Sequence, residues 1–182
     1  MSVDLSWLPP LLLLEDHGGD WAAYFQAVHA IFARDFEGAR PHFRGKRMGL
    51  KRHPLIDGMC ATFWHMVSEG KGESDRTPDL RRCERIAWPL AILVAADDEA
   101  KVVTWEERDP KRGSKILLAL PDFSYLVVVD DRGDYVLPWT AYAVEQGHSR
   151  RKLEKRYRQA KAIEKAEAAS RGGSVTPSTH GG

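Results

Sequence analysis

Among the seven histidines of the chain, His65 has the neighbourhood best suited to chemistry. It lies in the run CATFWHMV, residues 60–67, between Trp64 and Met66. Imidazole titrates near neutral pH, so it can take up or deliver a proton there. A lone histidine beside aromatics is also a common packing residue, and local sequence leaves both roles open.

Arginines gather a short way downstream. Arg81, Arg82 and Arg85 fall within DLRRCERIAW, residues 79–88. On a helix Arg81 and Arg85 are one turn apart and share a face, while Arg82 is rotated by about 100°. Guanidinium stays charged and can hold two phosphate oxygens at once, so the spacing suits a phosphate clamp. It equally suits a solvated face with local ion pairs, since Glu84 lies between. A third group lies in LPWTAYAVEQGHSRRKL, residues 137–153. Thr140 and Tyr142 share strand parity, so an extended chain presents both hydroxyls on one face. A hydroxyl near arginines can donate to a phosphate oxygen, and a tyrosine can stack on a base. Arg150 and Lys152 follow at the start of a helix, and Arg44 and Arg47 belong to an upstream basic run. All four are candidates for contact with a nucleic-acid backbone.

Other chemistries lack their signatures. No HExxH or similar spacing links the histidines, so no metal is expected. Cys60 and Cys83 form no CxxC pair, and no histidine is tied to either thiol. The glycine-rich fingerprints of dinucleotide and P-loop sites are absent, as is the GxSxG elbow, so no cofactor is expected.

The elements that must hold these residues follow from periodicity and punctuation. His17-Gly18-Gly19 is a break, Asp20 caps a helix, and Trp21, Phe25, Val28 and Phe32 form its apolar stripe. Residues 40–54 are expected to enter a sheet, and Asp57-Gly58 to turn. Residues 60–67, rich in aromatic and β-branched side chains, then pair as a second strand, giving an N-terminal hairpin. Thr77 is the expected N-cap of the next helix, with Pro78 first and Asp79 in its opening turn. Pro89 kinks or restarts that helix. From residue 101 the period becomes two. Residues 101–107, 114–120, 125–130 and 134–139 read as four strands with short connections, hence an antiparallel meander. Pro138 puts the last strand at an edge or at its end. A basic helix over 149–169 follows. The expected fold class is α+β: N-terminal helices, an antiparallel four-stranded meander plus the N-terminal hairpin, and a C-terminal basic helix. One domain spans residues 1–169, with a flexible tail over 170–182.

Charge is balanced in total and segregated in detail. The 182 residues carry 27 Lys and Arg against 26 Asp and Glu, a net charge of +1. Residues 40–54 hold six basic and no acidic residues, and residues 150–171 hold nine basic and three acidic, so each segment is +6. The remainder is therefore −11. This implies a polarised molecule whose two basic segments flank one groove. The apolar run at residues 11–14 is too short to span a bilayer and lacks a basic flank. No membrane partner is expected, and the sparse cysteines fit a cytoplasmic location.

The ordered set GGDW, TFWHMVSEG, TPDLRRCERIAWP, WEE, YLVVVDDRGDYVLPWTAY and RRKLEKRY resembles a widespread group of small bacterial and phage-associated proteins, over residues 7–157. The helix-then-four-strand order is similar to the barnase/EndoU/colicin/RelE-like ribonuclease superfamily. That resemblance implies a metal-independent endoribonuclease, the toxin of a toxin–antitoxin or phage-defence pair. Such enzymes cleave RNA by attack of the 2′-hydroxyl on the adjacent phosphorus, leaving a 2′,3′-cyclic phosphate. Carried over by residue type, His65 would transfer the proton, and Arg82 and Arg85 would hold the phosphate. Thr140 and Tyr142 would complete the pocket, while Arg81, Arg44, Arg47, Arg150 and Lys152 would bind the RNA. RNA and an antitoxin protein are the implied partners. The basic segments alone support a different expectation, a non-catalytic RNA- or protein-binding accessory module.

Overall fold

Asp20 opens the first long helix by accepting the backbone N–H groups of Ala22 and Ala23. In the computed structural model, which describes residues 3–70, 72, 75–110 and 113–172, this helix is α1 (Trp21–Phe32). Tyr24, Val28 and Phe32 are buried, whereas Trp21 stays 41% exposed, so the core face is rotated from the expected stripe. A π-type turn, Ala33–Gly38, continues α1 and leads into the hairpin of β1 (His42–Phe43) and β2 (Lys46–Met48). Asp57 and Gly58 both have positive φ and make the tight turn expected of them.

The run at residues 60–67 corrects the sequence reading. It forms helix α2 (Ala61–Val67), so it makes no hairpin with residues 40–54. All seven helical residues are buried. A short run that is apolar on every side carries neither helical nor strand periodicity, and its branched and aromatic content favoured the wrong choice. Packing decides instead: Phe63 meets Phe32 at 5.3 Å between ring centroids, and Trp64 meets Phe25 at 5.5 Å.

Two further boundaries shift. Thr77 and Pro78 form strand β4 (Thr77–Pro78), paired with β3 (Ser68–Glu69) in a separate small sheet. The N-cap of α3 (Leu80–Glu84) is therefore Asp79, whose carboxylate accepts the Arg82 N–H at 2.9 Å. The helix stops after five residues, and α4 (Trp88–Val94) restarts with Pro89 in its first turn.

The main sheet is six-stranded and mixed, in the order β1-β2-β8-β7-β6-β5. Strands β5 (Val103–Asp109), β6 (Gly113–Ala119), β7 (Tyr125–Asp131) and β8 (Tyr135–Ala143) each run antiparallel to the next. β2 joins in parallel at the start of β8, with Arg47 opposite Tyr135 and Met48 opposite Val136. Beyond Val136 the outer side of β8 meets α2 and α3 rather than a strand, which is where Pro138, lacking a donor, sits. Arg44, in the β1–β2 turn at one edge, bonds Glu106 on β5 at the other edge, at 2.6 Å. A flat sheet would hold edge strands about 24 Å apart, so this one coils strongly.

Both faces of the sheet are covered. Ile116, Leu118, Val127, Val129 and Val136 pack against α1, α2 and α4. On the opposite face Trp105, Leu117, Leu126 and Val128 receive α5 (Gly147–Gly172) through Leu153, Tyr157 and Ala160. β7, buried on both sides, accordingly reads as a near-continuous apolar run. α5 continues through residues 170–172, which were expected to be tail. The rest of that tail, residues 173–182, lies outside the described residues, as do Lys111 and Arg112 in the β5–β6 connection. No described helix is long and apolar enough to cross a membrane.

Candidate nucleic-acid interface

His65, Arg82, Thr140 and Tyr142 are brought together, as a packed joint between α2, α3 and β8. His65 offers its backbone carbonyl to this joint. Thr140 Oγ1 donates to that oxygen at 3.2 Å, and Arg82 Nη1 lies 3.2 Å from Thr140 Oγ1 and 3.5 Å from the His65 oxygen. Arg82 also reaches Glu69 at 3.4 Å and lies over the Tyr142 ring, 5.1 Å from its centroid. The His65 side chain is only 4% exposed and meets Trp139 edge-on at 4.7 Å. His65 was expected on a strand, but it lies on α2, a helix enclosed on all sides.

Arg85 stands apart from this joint. Because α3 ends at Glu84, Arg85 leaves the helix and does not share a helical face with Arg81. It donates to the Arg81 carbonyl at 3.1 Å, pairs with Glu84 at 3.2 Å and lies over Trp88 at 5.2 Å. Arg81 itself forms an ion pair with Glu145. The cavity of about 300 Å³ beside these residues is lined by Arg81 and Arg82 but also by Glu69, Asp79 and Glu145. Two cations facing three carboxylates leave that cavity net acidic, a poor setting for a phosphate.

The α5 cations border the adjoining cavity, which shares Tyr142, Ala143 and Glu145 with that one. Arg150 Nε donates to the Val144 carbonyl at 2.7 Å, and its guanidinium is 3.9 Å from Asp122. Lys152 lines a cavity of about 380 Å³ with Tyr142, Glu145, Ser149 and Arg156. Arg156 grips Glu107 with two bonds, at 2.9 and 2.7 Å. This holds the Glu107 carboxyl below its ordinary value: burial acts upward, and bonds from Arg156 and Trp105 outweigh it.

A further concentration of cations lies at the β2–β8 edge. A groove of about 860 Å³ is lined by Arg40, Arg47, Lys51, Arg52 and Arg132, with Glu37 as its one described acid. Arg40, Arg47 and Arg52 are exposed, and among the described residues they form no ion pair. Arg44, by contrast, is consumed by Glu106, and Arg132 bonds Asp130 at 2.9 Å. Tyr135 and Trp139 supply aromatic surface to the same groove. Trp139 is there because of a β-bulge: Val128 faces Thr140 and Val129 faces Pro138, so Trp139 is the extra residue. Lys51 and Lys115 approach its ring at 6.0 and 5.9 Å from the centroid.

No residue of α5 lines this groove, so the two basic segments do not flank one cavity as expected. Of the candidate residues chosen from sequence, only Arg47 belongs to it. Arg40, Lys51 and Arg52 were within reach of the same reasoning, because the charge run at residues 40–54 contains them. Tyr135, Trp139 and Arg132 join only through the pairing of β2 with β8, which no local pattern encodes. Compared with known proteins, the chain matches no family model, no curated protein and no solved structure.

Proposed function

We propose that the chain binds RNA, with the groove at the β2–β8 edge as its site. The observation that carries this reading is a groove lined by Arg40, Arg47 and Arg52, which form no ion pair among the described residues, together with Lys51 and Arg132, and by Glu37 as its one described acid. An arginine with no internal carboxylate partner keeps its charge available to a phosphate diester, and each contact releases condensed counterions. The reading is tested by fluorescence anisotropy with a labelled RNA across a salt series. About four phosphate contacts correspond to a log–log slope near −3 for a single strand. Affinity that ignores salt would sink the proposal.

The second reading is RNA cleavage without a metal, as the toxin of a toxin–antitoxin or phage-defence pair. It is favoured by one contact: His65 lies against Trp139, which lines the same groove. In that reading RNA is drawn along the arginines to Trp139, whose ring must swing aside to open the 4% exposed His65, and His65 then transfers a proton to or from the reacting 2′-hydroxyl or the leaving oxygen. Incubation of RNA with the protein in EDTA, with end-group analysis, tests it. A 2′,3′-cyclic phosphate lost in a folded His65→Ala variant supports cleavage, and intact RNA leaves the binding function alone.

A further inference from the structure

Tyr135 differs from every other aromatic ring near the groove. It opens β8 at 37% exposure and lines the groove wall, directly opposite Arg47 in the strand pairing. One side of its ring is braced by Gly49. A Cβ at residue 49 would lie only 3.0 Å from Cδ2 and 3.3 Å from Cε2 of Tyr135, closer than packed carbon atoms sit. Gly49 is itself fixed, since its N–H donates to the Val136 carbonyl at 2.8 Å. The bare backbone therefore lets the ring settle against the end of β2. Trp139 is half-buried and already has the His65 ring and two lysines against it.

We infer that Tyr135 is a stacking platform for a nucleobase, that Gly49 positions it, and that the ligand is single-stranded RNA. This rests on the groove being the RNA site. A base laid on the outer side of Tyr135 keeps its phosphates among Arg40, Arg47 and Arg52, which line the surrounding wall. Stacking on an aromatic side chain needs an unpaired base with a free π face, which a duplex does not offer. Aromatic platforms tolerate sequence variation, so the expected preference is for strandedness rather than for one base.

The test compares three ligands by anisotropy at one salt concentration: a short single-stranded RNA, an abasic strand with the same number of phosphates, and an RNA duplex. The wild-type protein is expected to bind the base-bearing strand most tightly. Tyr135→Ala should lose about ten-fold on that strand and little on the abasic one, while Tyr135→Phe retains affinity for both. Gly49→Ala, which pushes the ring off its seat, should lose affinity for the base-bearing strand selectively. Circular dichroism confirms folding, and Tyr135→Leu, which keeps bulk without a π face, should behave as Tyr135→Ala does. Equal losses on the base-bearing and abasic strands, or no loss on either, overturn the platform while the RNA site stands. Duplex binding as tight as single-strand binding does the same. If the wild-type protein binds none of the three, the platform and the RNA reading fall together.

Discussion

Thr140 donates its hydroxyl to the backbone carbonyl of His65 at 3.2 Å, and through that bond the edge of β8 is tied to a helix rather than to another strand. Arg82 completes the tie from α3, with Glu69 and the Tyr142 ring on its other sides. Its side chain is 13% exposed, so truncation would remove a packed guanidinium together with its contacts to Thr140 and the Tyr142 ring. Arg82→Ala is expected to destabilise the fold by about 2 kcal/mol, and Thr140→Val by about 1 kcal/mol. Urea denaturation followed by tryptophan fluorescence measures both. A stability unchanged by Arg82→Ala would show that the joint is not structural.

The groove arginines and the paired ones should separate in binding. Reversing Arg47 or Arg52 to Glu is expected to weaken RNA binding and to lower the salt slope by about 0.7 for each contact removed. Arg44→Ala removes a side chain already neutralised by Glu106 and should alter the slope little. If Arg44→Ala costs as much as Arg47→Glu, binding follows overall charge and not the groove.

How far the sequence reached depended on the kind of signal. Long periodic segments were legible: the capped helix after Asp20, the restart at Pro89 and the basic C-terminal helix all follow from local pattern. α2 was not, because its residues are enclosed by α1 and β8, and a run buried on all sides has no exposed face to set a period. Thr140 and Tyr142 share a face as strand parity requires, opposite Val128 and Leu126. That His65 would meet them through its carbonyl depended on α2 lying along the β8 edge. The groove was half legible. Its arginines came from a visible charge run, but its aromatic wall arises from a parallel pairing only two residues long and from a bulge at Trp139.

Both thiols are expected to be silent in the native protein. Cys83 is fully buried, and burial, with Asp79 and Glu84 nearby, pushes it up to about 12. Cys60 is 4% exposed, and burial raises it as well. The reactive thiolate is therefore scarce at neutral pH and screened from reagent. A thiol-reactive chromophore should report no fast-reacting cysteine in buffer and both in denaturant. Rapid labelling of the folded protein would contradict this packing of α2 and α3.

The docking of α5 should respond to acid through Glu107. Its carboxylate accepts two bonds from Arg156 and one from Trp105 at 3.0 Å, which joins α5 to β5. Those bonds outweigh burial and lower its pKa in the fold relative to the ordinary 4.5. A carboxyl with a lower pKa folded than unfolded binds fewer protons in the fold. Its contribution is fully present above the unfolded value and disappears as pH falls through the folded one. The side chains of Arg156 and Glu107 are 40% and 34% exposed, so solvent screening limits the pair. Glu107→Gln is expected to cost about 1 kcal/mol at neutral pH. The gap between wild type and variant should close as pH drops below 4.5 and through the lowered folded pKa. Urea melts at neutral and acidic pH measure it. A gap that persists once Glu107 is protonated in both states would assign the loss to packing at the α5 interface instead of to the carboxylate charge.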